Sequence, residues 1–427
     1  MSSKEYPKVL IISHNLYDNT NNIGKTLVSL FDGWPQNKLA QLYFRNDKPS
    51  FKFCTQYYCI TDKEVFKSIL TLNTKKSGFI LKRDTEMKLS QNENNLYQIG
   101  NRRKPIISFI RDFIWSFGNW KSKDLENWLW NVAKPDVILF VPNDYTLAYR
   151  VALYVEKIIH KPIIPFYMDD AFYYRCKTDF IDSIRRWKLR NFAKKIHQNA
   201  KEIFTICDYM SDEYEQLFGL PCKAFVNSVR VDKIPKAKMN GKLVLSYIGN
   251  LHSNRWKAIV DIGKALEQIN REEDINAILR IYSGSVLENK VKEEFAQIKS
   301  IEFHGRIPAE EVRSKQLEAN ILIHVEAFDR DSVNSTRLSL STKIPEYLSS
   351  NRVIFAYGPS SVASMRYLSD FKIAITCCEH STLYDSLKRV LMLDNVIEIA
   401  NRGLKKAIES HDIKRVSRDF QSRIRKY

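Results

Sequence analysis

The chain has 427 residues, of which 44% are hydrophobic and 27% charged, and a formal net charge of +18. That length exceeds one ordinary domain and suits two or three, and the apolar share is enough for packed cores, which excludes a disordered chain. No apolar run approaches the roughly 18–20 residues of a membrane span. The 7 cysteines are scattered without a C-x-x-C pair, which argues against a zinc site or a disulfide framework.

The N-terminal MSSKEYPKVLIIS lacks the order of a signal peptide, so a cytoplasmic protein is expected. Its apolar run KVLIIS reads as a first strand. The loop and helix start that follow, NTNNIGKTLVSLF, hold Gly24-Lys25-Thr26, which look like the end of a phosphate-binding P-loop. That motif needs G-x-x-x-x-G-K-[ST], but Asn19 stands where its first glycine belongs, and the later run DVILFVPND is interrupted by Pro142. A strand, a polar glycine loop and a helix start can still receive a phosphate or a sugar on the helix amides. Asn15, Asn22 and Gly24 are therefore candidates for holding an acceptor or a phosphate.

Further strands are expected at KLAQLYF, DVILFV, KPIIPFY and EIFTIC, with helical runs at DYTLAYRVALYVEKIIH and DYMSDEYEQLF, the last with Asp208 as its N-cap. Residues 74–105 are polar and weakly periodic, as in a loop or excursion. After them Phe109, Phe113, Trp115, Phe117, Trp120, Trp128 and Trp130 are interleaved with Arg111, Lys121 and Lys123. Core and membrane interface are both open for these rings. FYMDDAF puts Asp169 and Asp170 at a strand end, with side chains pointing opposite ways. One could deprotonate an acceptor hydroxyl, and a helix cap is the other reading. The run 183–201 carries Arg185, Arg186, Lys188, Arg190, Lys194, Lys195 and Lys201 and no acid, and the tail IKRVSRDFQSRIRKY is also basic. Each suits a solvated helix face or a polyanionic partner.

Around 228–242 the apolar periodicity disappears and Pro, Lys and Gly accumulate, which marks a domain boundary. A second series of alternating strands and helices follows. The expected organisation is α/β: a Rossmann-like domain over 1–232, a second over 233–400, both doubly wound and facing a central cleft, and a helical tail over 401–427 that packs back on the first.

In the second series, glycine turns and polar loops follow successive strands in LSYIGNLHSNRWKAIVDIGKAL, IYSGS, IEFHGRIPAEEV and ILIHVEAFDRDSVNSTRLSLSTKIPEYLSSNRVIFAYGP. Over about 240–360 these residues resemble the nucleotide-sugar domain of GT-B glycosyltransferases, in particular the retaining family 4 (group 1) enzymes of bacterial surface polysaccharide synthesis. The resemblance is looser over 1–230. The family's G-R-L-x-x-x-K is met here by Gly249-Asn250-Leu251-His252-Ser253-Asn254-Arg255. Arg255 thus takes the place of the lysine that grips the donor diphosphate, and Asn250 replaces the arginine. Of the family's E-x7-E pair, Glu346 matches the glutamate that binds the ribose, whereas Leu338 occupies the position of the first. The resemblance further implies that Ser341, Thr342 and Lys343 lie under the diphosphate, that Gly284 ends a strand at the donor, and that Arg306 and Ile307 edge the nucleobase. Asp329-Arg330-Asp331 is formally a metal-binding D-x-D, but the family uses no metal and the pair is read as loop acid.

The resemblance implies a hexosyltransferase without metal or cofactor, moving a sugar from a nucleotide-diphosphate donor to a glycan or lipid-linked acceptor. Arg255 and Lys343 would stabilise the leaving diphosphate and Asp169 would serve the acceptor. The basic charge would then meet an anionic membrane at the inner face of the cell, and no nucleic acid. A sugar-nucleotide epimerase of the same fold, a basic nucleic-acid-binding protein and a P-loop kinase are the competing readings.

Overall fold

The computed structural model describes residues 6–19, 21–72, 77–83, 105–172, 180–231, 243–392 and 396–427. Most of the polar stretch 74–105, the Phe109 side chain and residues 232–242 of the boundary lie outside the described residues. The chain divides into two compact units, Met1–Val226 with Val416–Tyr427, and Asn227–Arg415.

The first unit is built on an eight-stranded sheet. Its strands are β1 (Val9–Ser13), β2 (Leu39–Tyr43), β3 (Gln56–Cys59), β4 (Phe79–Leu81), β5 (Val137–Phe140), β6 (Ile163–Tyr167), β7 (Ile203–Thr205) and β8 (Cys222–Ala224), in the order β4-β3-β2-β1-β5-β6-β7-β8. All neighbours run parallel except β3 and β4. The central strands are buried on both faces, which is why runs such as VLIIS are apolar throughout rather than alternating. Strands β3, β4 and β8 are only three or four residues long and escape pattern reading. The helix Ile413–Ile424 sends Phe420 into this unit's core. There it meets Phe31, Phe204 and Phe225 edge-on at centroid distances of 5.0, 5.7 and 5.1 Å.

Two expectations change here. The helix Asp208–Phe218 is capped by Cys207 rather than Asp208, and Asp208 is its first helical residue, where its charge still complements the helix N-terminus. The basic run lies on the helix Phe180–Asn199, but Arg185 and Arg186 are buried. They pair with Asp182 at 2.7 and 3.0 Å and with Asp144 at 3.3 and 3.4 Å. A buried guanidinium must be paired, and the partners lie just before the run and about forty positions upstream of it.

The second unit has six parallel strands, β9 (Leu243–Ile248), β10 (Ala277–Tyr282), β11 (Ile301–Gly305), β12 (Ile321–Val325), β13 (Val353–Tyr357) and β14 (Ile375–Cys377). Their order is β11-β10-β9-β12-β13-β14. This is the doubly wound arrangement, whose winding reverses between β9 and β12. Ligands of such sheets sit beyond the carboxyl ends of the strands at that switch point. The helix Arg255–Glu272 follows β9 and buries Ile259, Ile262, Leu266 and Ile269 against the sheet, a spacing of three and four that keeps one face inward.

Candidate active site

The switch point of the second unit gathers an unusual set of charges. Strand β9 is followed by Gly249, whose φ of +153° suits glycine alone. A Cβ at this position would stand 2.0 Å from Lys343 Nζ, so glycine makes room for the lysine. Lys343 opens the helix Lys343–Ser349 and lays its ammonium 4.3 Å from the centre of the Tyr247 ring. Its Nζ donates to the Tyr247 hydroxyl at 3.2 Å, and that hydroxyl donates to the Asn250 carbonyl. No carboxylate pairs with this ammonium among the described residues. Burial, with Arg255 nearby, lowers the Lys343 pKa to about 7.

Arg255 is the first residue of its helix. Its Nε and Nη2 donate to Glu326 Oε2 at 3.2 and 2.9 Å, and its Nη1 donates to Asn250 Oδ1 at 3.3 Å. Glu326 follows β12 and is only 3% exposed. Burial alone would raise its pKa, but Arg255 and the neighbouring His324 hold it at about 2. Its other oxygen lies 3.4 Å from His324 Nε2. Burial keeps His324 below its ordinary value despite that carboxylate, so the imidazole is neutral near pH 7. Arg255 thus has a counter-charge in contact, whereas Lys343 feels Glu326 and Glu346 without a salt bridge to either among the described residues. In this cluster Arg255 is the fixed cation, and Lys343 is an amine of lowered pKa that an arriving diphosphate would hold in its charged form.

Glu346 sits one turn after Lys343, and its Oε2 accepts from Gln316 Nε2 at 3.2 Å. The Ser341 amide is already used by Ser364 Oγ at 3.0 Å, and Ser341 Oγ accepts from the Lys343 amide at 3.4 Å. Thr342 caps this short helix without a side-chain bond. Gly284 lies against Arg306, where a Cβ would be 3.3 Å from Arg306 Cδ; Arg306 is exposed and Ile307 half-buried. Asn250, Arg255, Gly249 and Lys343 are therefore brought into one cluster, with Glu346 close enough to act on Lys343 electrostatically. Asp329 is the N-cap of the helix Arg330–Thr336, accepting from the Ser332 amide at 3.1 Å and from Asn254 Nδ2 at 3.0 Å. Its partner in the D-x-D, Asp331, is exposed. Among the described residues no group of three His, Cys, Asp or Glu could hold a metal ion.

The candidates of the first unit stand differently. Asn21 caps the helix Asn22–Leu30 by accepting from the Gly24 amide at 2.8 Å. A Cβ on Gly24 would be 2.2 Å from the Asp18 carbonyl oxygen, so this glycine serves the packing of its own loop. Asn22 is exposed at the helix start, and Asn15 Oδ1 is 3.5 Å from Arg45 Nη1. Asp169 is exposed at the end of β6, whereas Asp170 is buried and accepts from the Tyr214 hydroxyl at 2.9 Å.

Pattern reading missed Tyr247, His324 and Glu326. The signal was present in ILIHVEAF, where two polar residues two apart interrupt an otherwise apolar strand and so share a face. His14 was also missed. It follows β1, packs 5.2 Å from the Tyr145 ring, and is held well below its ordinary pKa by burial and by Arg111 and Arg45.

No family model matches the chain, and no curated protein does. Solved structures do match in fold. HepE from Anabaena in complex with UDP-glucose aligns with a TM-score of 0.64 at 10% identity, covering 99% of this chain and 100% of that one. An α,α-trehalose-phosphate synthase (UDP-forming) from Burkholderia vietnamiensis aligns at 0.60 and 10%, covering 98% and 100%. A trehalose-6-phosphate protein from E. coli bound with UDP-2-fluoro glucose aligns at 0.56 and 9%, covering 98% and 99%. Both units fall within these alignments, and the chain has the α/β fold of the GT-B glycosyltransferases.

Proposed function

We propose that the protein is a glycosyltransferase that binds a nucleotide-diphosphate sugar on its second unit and transfers the sugar to a glycan or lipid-linked acceptor. The observation that carries this is the pair at the switch point: Arg255 held by buried Glu326, and Lys343 with no carboxylate in salt-bridge contact among the described residues. Three structures of like fold, two of them bound to UDP-sugars, support the choice of ligand.

In the reaction the acceptor oxygen becomes bonded to the anomeric carbon, the acceptor hydroxyl proton passes to Asp169, and the bond between that carbon and the diphosphate oxygen breaks with its electron pair staying on the leaving phosphate. Lys343 and Arg255 stabilise that growing charge. Lys343 takes up a proton when the diphosphate arrives, because an anion beside a buried amine favours its charged form. Glu346 binds the ribose, Asn250 and Gly249 line the diphosphate, and Arg306 with Ile307 borders the base. Asp169 of the first unit is assigned to the acceptor hydroxyl, and Asn15 and Asn22 to holding the acceptor or a phosphate. No metal and no cofactor enter this scheme. Retention at the anomeric carbon, and a place in bacterial surface polysaccharide synthesis (capsule or lipopolysaccharide) on the cytoplasmic side, follow from the sequence resemblance.

Thermal shift with a panel of nucleoside diphosphates and their sugars tests the proposal. Stabilisation by at least one nucleoside diphosphate, lost in Lys343→Met, is the expected result. An unchanged melting temperature with every nucleotide overturns it.

A further inference from the structure

In the first unit two helices pack on each other, Pro105–Phe117 and Phe180–Asn199, and both expose large rings. On the first, Ile110, Phe113 and Phe117 are 53%, 56% and 60% exposed. Their spacing of three and four puts them on one face, and the Phe113 and Phe117 rings pack together at 4.7 Å. On the second, Phe180 and Trp187, two turns apart on one face, are 80% and 65% exposed. Large rings do not stay in water at such density without reason.

The charges on the same helices are sorted. Each helix contains a single acid, Asp112 and Asp182. Both are buried: Asp112 accepts from Thr146 Oγ1 at 2.5 Å, and Asp182 takes Arg185 and Arg186. The outward faces are therefore free of carboxylates, while Lys194 and Lys195 are exposed on the second helix and Lys121 just beyond the first. At that end a cleft of about 360 Å³ is lined by Phe117, Trp120, Lys121 and Arg150. Among the described residues the buried Arg150 Nε has no hydrogen-bond partner.

We infer that these two helix faces dock on an anionic lipid bilayer, with the rings in the acyl boundary and the lysines at the headgroup phosphates. The helix Pro105–Phe117 is too short to cross a membrane, and no helix among the described residues is long and apolar enough to do so, so the contact lies in the plane of the interface. A second copy of the chain is the poorer occupant. The same acid-free cationic face would meet itself, and a net charge of +18 opposes self-association. The cleft offers Lys121 and Arg150 to a lipid phosphate. This inference rests on the geometry of the first unit and stands or falls separately from sugar transfer.

Co-sedimentation of the full chain with vesicles of phosphatidylcholine alone, and of phosphatidylcholine with phosphatidylglycerol, tests it. Binding is expected to the mixed vesicles and to weaken with salt. The triple variant Phe113→Ser, Phe117→Ser, Trp187→Ser should lower partitioning by at least about tenfold. Reversal of Lys121, Lys194 and Lys195 to Glu should lower it by roughly fivefold per residue on the mixed vesicles alone. Brominated phosphatidylglycerol should quench the wild-type tryptophan fluorescence, and Trp187→Phe should remove part of that quenching. Circular dichroism keeps folding losses apart from surface effects. Equal recovery of wild type and both variants overturns the inference. So does a concentration-dependent dimer that the triple variant abolishes while no lipid is bound.

Discussion

The first strand of each unit runs into a glycine loop and a helix, yet the two glycines do opposite things. Gly24 packs against its own loop, and the polar groups around it are turned inward: Asn21 caps the Gly24 amide and donates to the Leu16 carbonyl at 3.0 Å. Gly249 instead yields its space to a side chain from elsewhere, the ammonium of Lys343. One loop is satisfied within itself. The other holds an amine whose lowered pKa an incoming anion would raise. The same strand–glycine–helix pattern therefore predicts a local conformation, whereas a ligand site depends on what distant residues bring to it.

The largest effect that would sharpen this contrast is expected from Arg255→Met. It leaves Glu326 buried without its cation, which costs about 3–5 kcal/mol. Chemical denaturation should show that loss. A stability unchanged from wild type would mean that Glu326 is not dependent on Arg255. Lys343→Met should do the reverse, sparing the fold while removing a charged hydrogen bond worth about 1.5–3 kcal/mol to the diphosphate, or roughly 10- to 100-fold in affinity. Calorimetry on a nucleoside diphosphate measures it.

The glycines themselves can be exchanged. Gly24→Ala should destabilise the first unit by about 1–3 kcal/mol through overpacking and leave nucleotide affinity alone. Gly249→Ala should displace Lys343 and weaken nucleotide binding. Equal losses of affinity from both would break the comparison. The pH dependence is subtler. Lys343 has a lowered pKa of about 7 in the unliganded protein, so an anion that needs its charge must drive protonation at higher pH. Affinity should be steady below pH 7 and fall above it by up to about tenfold per unit, and Lys343→Met should flatten the curve. The smallest effect belongs to Tyr247→Phe, which removes the hydroxyl that steadies Lys343 and should cost about 1 kcal/mol of binding.

Much of this molecule was legible in its sequence because parallel strands buried on both faces leave long apolar runs. VLIIS and VIFAY could hardly be anything else. The edge strands were not, since Cys222–Ala224 is half-exposed and has no apolar pattern to betray it. In the site, Gly249, Arg255 and Lys343, which the fold brings together, were named from the resemblance carried by the loops on successive strand ends. Glu326 was not, because a carboxylate becomes visible as a site residue only once the fold sets it beside Arg255. The basic run misled for a related reason: Arg185 and Arg186 spend their charge on Asp144, which is a neighbour in space and remote in sequence.

The helix Ile413–Ile424 has a consequence for biosynthesis. Phe420 fills the middle of the first unit's aromatic core, and Gln421 Nε2 donates to the Leu30 and Asp32 carbonyls at 3.1 and 2.7 Å. On the ribosome these contacts arrive only after the whole of the second unit has been made. The second unit is contiguous and can close as it emerges, but the first, although synthesised earlier, must wait with an open apolar seam. The usual order of vectorial folding, N-terminal domain first, is thus inverted for the final consolidation step. A nascent chain halted before residue 413 would present the seam between Phe31 and Phe225 to chaperones.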